Sequence, residues 1–290
     1  MRLVMLLVFA IWCQVGVAEV VHIETDSFAK INALYHDKVT DRAKTLLVFD
    51  IDETLLTMSQ PLGSVAWWDW QSQLLSKNKN SSKLVAHTIQ NLAEIENLLF
   101  QLIKMNVTDQ YVVPFVKEAS EQGTSIMALT ARGRESLSVT LNQLTENGFV
   151  DKQNQLLFHS NGPKLSNQNT ASGGDLNCGS LTGHVSYYQG IVFLSNQNKG
   201  LALRCILANS EKHYDTIMFV DDVANNVDAV AKAFSDQADI KVFNVRYTRG
   251  DGKKQLFLHS EALQAEADMQ WKNIQKVLEK NIQHPAFNLK

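Results

Sequence analysis

The run TLLVFDIDETLL, residues 45–56, sets Asp50, Asp52 and Glu53 directly after four apolar residues. In an extended chain residues i and i+2 point the same way, so Asp50 and Asp52 can address one site above a buried strand. Like charges crowded at a strand end repel and lose hydration unless something cationic sits among them. A second acidic pair, Asp221 and Asp222, closes the apolar run TIMFV. Carboxylates gathered from separate strands suit a hard divalent cation such as Mg2+, which takes oxygen ligands and keeps several waters. Thr130 ends SIMALT with a hydroxyl placed for a bound anion, and Lys199 in NQNKGLAL supplies a fixed positive charge. A nucleophilic carboxylate, a second one to move protons, a hydroxyl, an ammonium and a metal are together what phosphoryl transfer requires.

The elements that must position these residues follow from periodicity. Short apolar runs at 45–50, 124–130, 190–195, 216–222 and 240–247 read as strands buried on both faces. Helix-period segments lie between them at 113–123, 134–148, 200–213 and 223–237, two of them ending at Gly123 and Gly148. This alternation predicts a three-layer, doubly wound, Rossmann-like α/β fold with a mostly parallel sheet of about five strands. Such sheets bind ligands beyond the carboxyl ends of their strands, where Asp50, Thr130, Asp221 and Asp222 all fall. Two stretches interrupt the alternation. Residues 58–110 carry the tryptophan cluster VAWWDWQ and a helix-period run, and residues 150–189 are rich in Asn, Gly and Ser, suggesting loops and a short hairpin. The final SEALQAEADMQWKNIQKVLEKN reads as an amphipathic helix on the outside of the sheet.

With these residues in order, the chain resembles a haloacid dehalogenase-superfamily phosphatase. DIDET at 50–54 is similar to that family's first motif, Thr130 to its second, Lys199 to its third and FVDDVANN at 219–226 to its fourth. The resemblance implies that Asp50 is the nucleophile and forms an aspartyl-phosphate. It implies Asp52 as general acid and then base, with Thr130 and Lys199 holding phosphoryl oxygens. It also implies Mg2+ between the Asp50 carboxylate, the Asp52 main-chain carbonyl and an aspartate of the fourth motif. Asp222 ranks above Asp221 as that ligand, with Asn226 where the family often has a further acid. Arg132 is a secondary phosphate contact. The implied function is an exported Mg2+-dependent phosphomonoesterase acting on a phosphorylated small molecule, most like the secreted bacterial acid phosphatases. A phosphotransferase using the same residues, or a catalytically silent binding protein of the same fold, is the alternative.

Composition bounds the setting. Lys plus Arg number 27 against 30 Asp plus Glu, a net charge of −3, so no basic surplus points to nucleic acid or an anionic membrane. The first 18 residues carry Arg2, an apolar stretch from Leu3 to Trp12 and small residues at Gly16 and Ala18. That order describes a cleaved signal peptide, leaving 19–290 as a phosphatase domain, periplasmic or secreted, without a stable membrane anchor. Cys178 and Cys205 remain, free to pair in an oxidising compartment, although the pattern GLALRCILA reads Cys205 as a small core residue. Trp67 and Trp70 share one helical face and read as core, with Trp68 offset; substrate stacking by one of the three is the alternative.

Overall fold

The structure is a computed structural model that describes residues 19–165, 174–179 and 181–281. The expected signal peptide, 1–18, lies outside the described residues. The chain runs β1 (Val20–Thr25), α1 (Phe28–Lys38), β2 (Thr45–Phe49), β3 (Leu56–Met58), α2 (Val65–Lys77), α3 (Ile89–Leu102) and β4 (Met105–Val107). It continues with α4 (Val112–Glu121), β5 (Ser125–Thr130), α5 (Leu137–Glu146), α6 (Leu157–Asn161), β6 (Gly174–Leu176), β7 (Val185–Tyr188) and β8 (Ile191–Phe193). Last come α7 (Lys199–Asn209), β9 (Thr216–Asp221), α8 (Ala224–Phe234), β10 (Lys241–Tyr247), α9 (Asp251–His259) and α10 (Glu261–Asn281).

Among the described residues the main sheet has eight strands in the order β1-β10-β9-β2-β5-β8-β7-β6. The pairings from β1 to β8 are parallel, while β8–β7 and β7–β6 are antiparallel. The sheet therefore exceeds the expected five strands. β1 is a half-buried edge strand with polar residues among its apolar ones, and β6 and β7 lie in a polar stretch, so neither shows a continuous apolar run. The five central strands do: β2 and β5 are buried at every position.

Their alternating side chains divide between two cores. Leu47, Phe49, Ile126 and Ala128 join α1 and α4 on one face through Phe28, Ile31 and Phe115. Leu46, Val48, Met127 and Leu129 join α7 and α8 on the other through Leu203, Ile206 and Val230. This is the three-layer arrangement the sequence predicts. β2 lies between β9 and β5, with Phe49 opposite both Val220 and Ala128, so the parallel carboxyl ends gather at one edge.

The 58–110 stretch forms a unit above that edge. β3 and β4 pair antiparallel, Leu56 to Val107, and close the base of the segment that carries α2 and α3. Ser64 caps α2 by accepting from the Trp67 amide, and Thr88 caps α3 by accepting from the Asn91 amide. Trp67 and Trp70 are core, as their spacing predicts, and Trp70 meets Phe257 of α9 edge-on at 5.8 Å. The terminal helix is present as α10; it packs against α9 and reaches the core through Ala267 and Trp271.

Cys178, just after β6, is bonded to Cys205 of α7, with Cα atoms 5.6 Å apart. Cys205 is half-buried and cross-linked rather than a free core residue. The bridge ties the polar β6–β7 edge to a core helix. Cys205→Ser should lower stability by about 3 kcal/mol by restoring the conformational freedom of the closed segment in the unfolded chain. Urea unfolding with and without reductant reads this; coincident midpoints for oxidised wild type and the variant would contradict it.

Candidate active site

The carboxyl edge of β2 turns sharply. The Ile51 carbonyl accepts from the amides of Thr54, Leu55 and Leu56, and Glu53 takes a left-handed backbone with φ 56°. This turn leaves Asp50 and Asp52 at the strand mouth and sends the chain upward into β3. The Asp50 amide donates to the Val220 carbonyl at 2.9 Å, fixing Asp50 beside the end of β9.

Lys199 opens α7 and is 2% exposed, with its Nζ 2.6 Å from Asp50 Oδ1 and 2.6 Å from Asp221 Oδ2. A cation is disfavoured at a helix N-terminus, so the two buried carboxylates are what hold it there. Gly200 allows the arrangement: a Cβ at that position would collide with the Ala229 carbonyl of α8, so only glycine lets α7 begin this close. Asn198 caps α7 by accepting from the Leu201 amide at 2.9 Å.

Asp221 is fully engaged. Besides Lys199 it accepts from the Val223 amide at 2.9 Å and from Asn226 Nδ2 at 3.0 Å. Asn226 thus supports Asp221. Asp222 is buried and has no hydrogen bond or ion pair among the described residues. Oxygens of Asp50, Asp221 and Asp222 all lie within 4.8 Å of one another. Three buried carboxylates face one ammonium, and the electrostatics register the mismatch. Burial pushes the Asp50 carboxyl up to about 7 against the pull of Lys199. Burial, with Asp50 and Asp221 beside it, raises Asp222 well above the ordinary carboxylate range. Lys199 is raised further by Asp221 and Asp50, in spite of its burial. A hard dication among these oxygens would relieve the surplus, and an all-carboxylate donor set fits that class of metal.

Asp52 is held by Arg132, whose Nε donates to Oδ2 at 2.9 Å and Nη2 to Oδ1 at 2.8 Å. Arg132 Nη1 donates to Thr140 at 2.9 Å and Gln143 at 2.8 Å, and the guanidinium lies 4.0 Å from the Phe100 ring centre. The side chain read from sequence as a secondary phosphate contact forms a bidentate clamp on Asp52, braced by α5 and stacked on α3. Thr130 is fully buried at the end of β5, where its hydroxyl accepts from the Arg132 amide at 3.1 Å. It shapes the turn that presents Arg132.

A family model described as "Protein of unknown function (DUF2608)" matches residues 24–284. The chain belongs to this family. In solved structures it is similar to the HAD domain of the effector protein Lem4 from Legionella pneumophila, an inactive mutant. That match has 12% identity and a TM-score of 0.35, covering 77% of this chain and 98% of the other. No curated protein matches.

In this DUF2608 chain a cavity of about 690 Å3 opens over the site, roofed by Trp68 and Asp69 of α2 and by Ala93, Glu96 and Phe100 of α3. Asp50, Asp52, Asp222 and Lys199 line its floor. Burial, with Asp52 nearby, pushes the Glu96 carboxyl up to about 8. Sequence reasoning passed over Glu96, Thr140 and Gln143, because they act from helices where polar residues ordinarily face water. Of the tryptophans it weighed, Trp68 is the one that reaches the cavity.

The raised groups give a direction for pH. A folded-state pKa above the ordinary 3.8 means that the contribution of Asp50 to stability is greatest below 3.8 and is lost as pH rises through about 7. A divalent cation works oppositely, because it binds the ionised carboxylates. Added Mg2+ should therefore raise the thermal unfolding midpoint more at about pH 8 than at about pH 5. Asp222→Asn should remove the effect. Equal shifts at both pH values, or a shift retained in that variant, would contradict the assignment.

Proposed function

We propose that this protein is a Mg2+-dependent phosphomonoesterase working through an aspartyl-phosphate, as its motif order implies by resemblance to the haloacid dehalogenase superfamily. One observation carries the reading: Lys199 bridges Asp50 and Asp221 at a sheet edge where Asp222 stands unpaired and Asp52 lies two residues beyond Asp50. Such a centre favours an entering dianion only with added positive charge, and its donors are the hard oxygens that Mg2+ prefers.

Asp50 attacks phosphorus in line with the leaving oxygen while the Asp52 carboxyl gives that oxygen its proton, releasing the alcohol. Asp52, now a carboxylate, takes a proton from water as the water attacks the aspartyl-phosphate, releasing inorganic phosphate and restoring Asp50. Arg132 fixes the plane of Asp52 for both transfers. Lys199 balances charge on the phosphoryl oxygens, and Thr130 holds the turn beside them. Asp50, the Asp52 carbonyl and Asp222 would hold Mg2+, which supplies positive charge to the nucleophile and the phosphoryl group. The domain is taken as 19–290, with 58–110 as the roof that selects the leaving group.

Export belongs to the same proposal. The Cys178–Cys205 bond supports an oxidising compartment, and no helix among the described residues is long and apolar enough to cross a membrane.

Hydrolysis of a generic aryl phosphate by residues 19–290 should require Mg2+ and stop with chelator. Asp52→Asn should cost about 10²- to 10⁴-fold in kcat, the scale of general acid–base catalysis. Asp50→Asn should leave no measurable turnover. An active Asp50→Asn protein would overturn the assignment of the nucleophile.

A further inference from the structure

The cavity has a charge pattern that the chemistry at its floor does not use. Only two cationic side chains line it among the described residues, Arg132 and Lys199. Both are paired, Arg132 with Asp52 and Lys199 with Asp50 and Asp221. The roof adds further acids. Asp69 of α2 is paired with Lys254 at 2.5 Å. Glu96 of α3, half-buried in the cavity wall, has no hydrogen bond or ion pair among the described residues, and Arg132 is the cation whose charge acts on it.

Ala93, Glu96 and Phe100 fall on one face of α3, and Val65, Trp68 and Asp69 on one face of α2, all turned to the same space. The roof is thus apolar and aromatic around one unpartnered carboxyl. A leaving group with extra negative charge would meet acids and no free cation. A neutral alcohol would offer Glu96 no charged partner and leave its carboxyl in the uncharged form that burial favours. An ammonium would give Glu96 a charge-assisted partner and present its positive face to the Trp68 indole.

We propose that the natural substrate is a phosphate monoester whose leaving alcohol carries an ammonium group, bound between Glu96 and Trp68. This rests on the phosphomonoesterase reading above. The raised Glu96 carboxyl is consistent with it, since an arriving cation favours the ionised form. Arg132 connects the two halves of the site, stacking on Phe100 of the roof while clamping Asp52.

Choline phosphate and 3,3-dimethylbutyl phosphate have nearly the same shape and differ by one charge, so their kcat/KM ratio isolates the cation. In the Mg2+-supplied wild type the ratio should favour choline phosphate by about ten-fold or more, the scale of a desolvated cation–π and carboxylate contact. Glu96→Gln and Trp68→Leu should each bring it toward one. A wild-type ratio near one, or a ratio unchanged in Glu96→Gln, overturns the proposal while hydrolysis of both esters leaves the phosphatase reading standing. If neither ester nor an aryl phosphate is turned over, the phosphatase reading fails, and calorimetric binding of the same two esters decides the site. Tighter binding of choline phosphate that Glu96→Gln abolishes upholds the cation pocket; equal binding overturns it.

Discussion

A single buried ammonium, Lys199, stands 2.6 Å from each of two carboxylates that arrive from different strands. Much of the architecture serves that contact. β2 and β9 must be neighbours in parallel register for Asp50 and Asp221 to meet. α7 must start close against α8, which Gly200 permits. Asp221 must be anchored, and the Val223 amide and Asn226 hold it. Removing the ammonium from such a buried set would leave its carboxylates uncompensated, typically at a cost of about 3–5 kcal/mol. The set is incomplete as it stands. With Asp222 included, three carboxylates oppose one ammonium, and the upward pull on Asp50 and Asp222 records how poorly the protein alone tolerates that balance. A hard dication among these oxygens would relieve that surplus.

Arg132 has a comparable role at the neighbouring carboxylate. Its fork fixes Asp52, its remaining donors reach α5, and its face lies on Phe100. Asp52 is thereby coupled to the roof. The same roof is fastened to α5 elsewhere, by Gln143 Nε2 donating to the Phe100 carbonyl at 2.9 Å and by Ser136 bonding Asn97 at 3.0 Å. A roof fixed this way holds α3 in place over the cavity.

The strand core and the carboxylates and lysine at its edge were legible in the sequence because both leave local marks. A strand buried on both faces reads as an unbroken apolar run, and Asp50, Thr130, Asp221 and Lys199 each sit at the end or start of an element. The edge strands β1 and β6 left no such mark, since they mix polar residues into a weak pattern, and β6 with β7 forms the short hairpin expected in 150–189. The clamp of Arg132 on Asp52 is not legible in the sequence. Its partners Asp52, Thr140 and Gln143 come from two elements, and only the fold brings them together. The preference for Asp222 over Asp221 had rested on motif alignment. In the structure Asp221 has its lone pairs occupied and Asp222 does not. The Cys178–Cys205 pairing was not readable from spacing, because it depends on the residues after β6 meeting α7.

The central claim is that Asp50 carries the phosphoryl group during turnover. It is tested most directly by acid-quenching the protein within the first turnover of a radiolabelled phosphate ester and mapping the label by peptide mass. The account predicts an alkali-labile label on the peptide containing Asp50, absent from Asp50→Asn and built up in Asp52→Asn when the ester has a leaving group good enough to depart without a proton. Label on any other residue, or turnover of the ester with no labelled protein at any quench time, would contradict it.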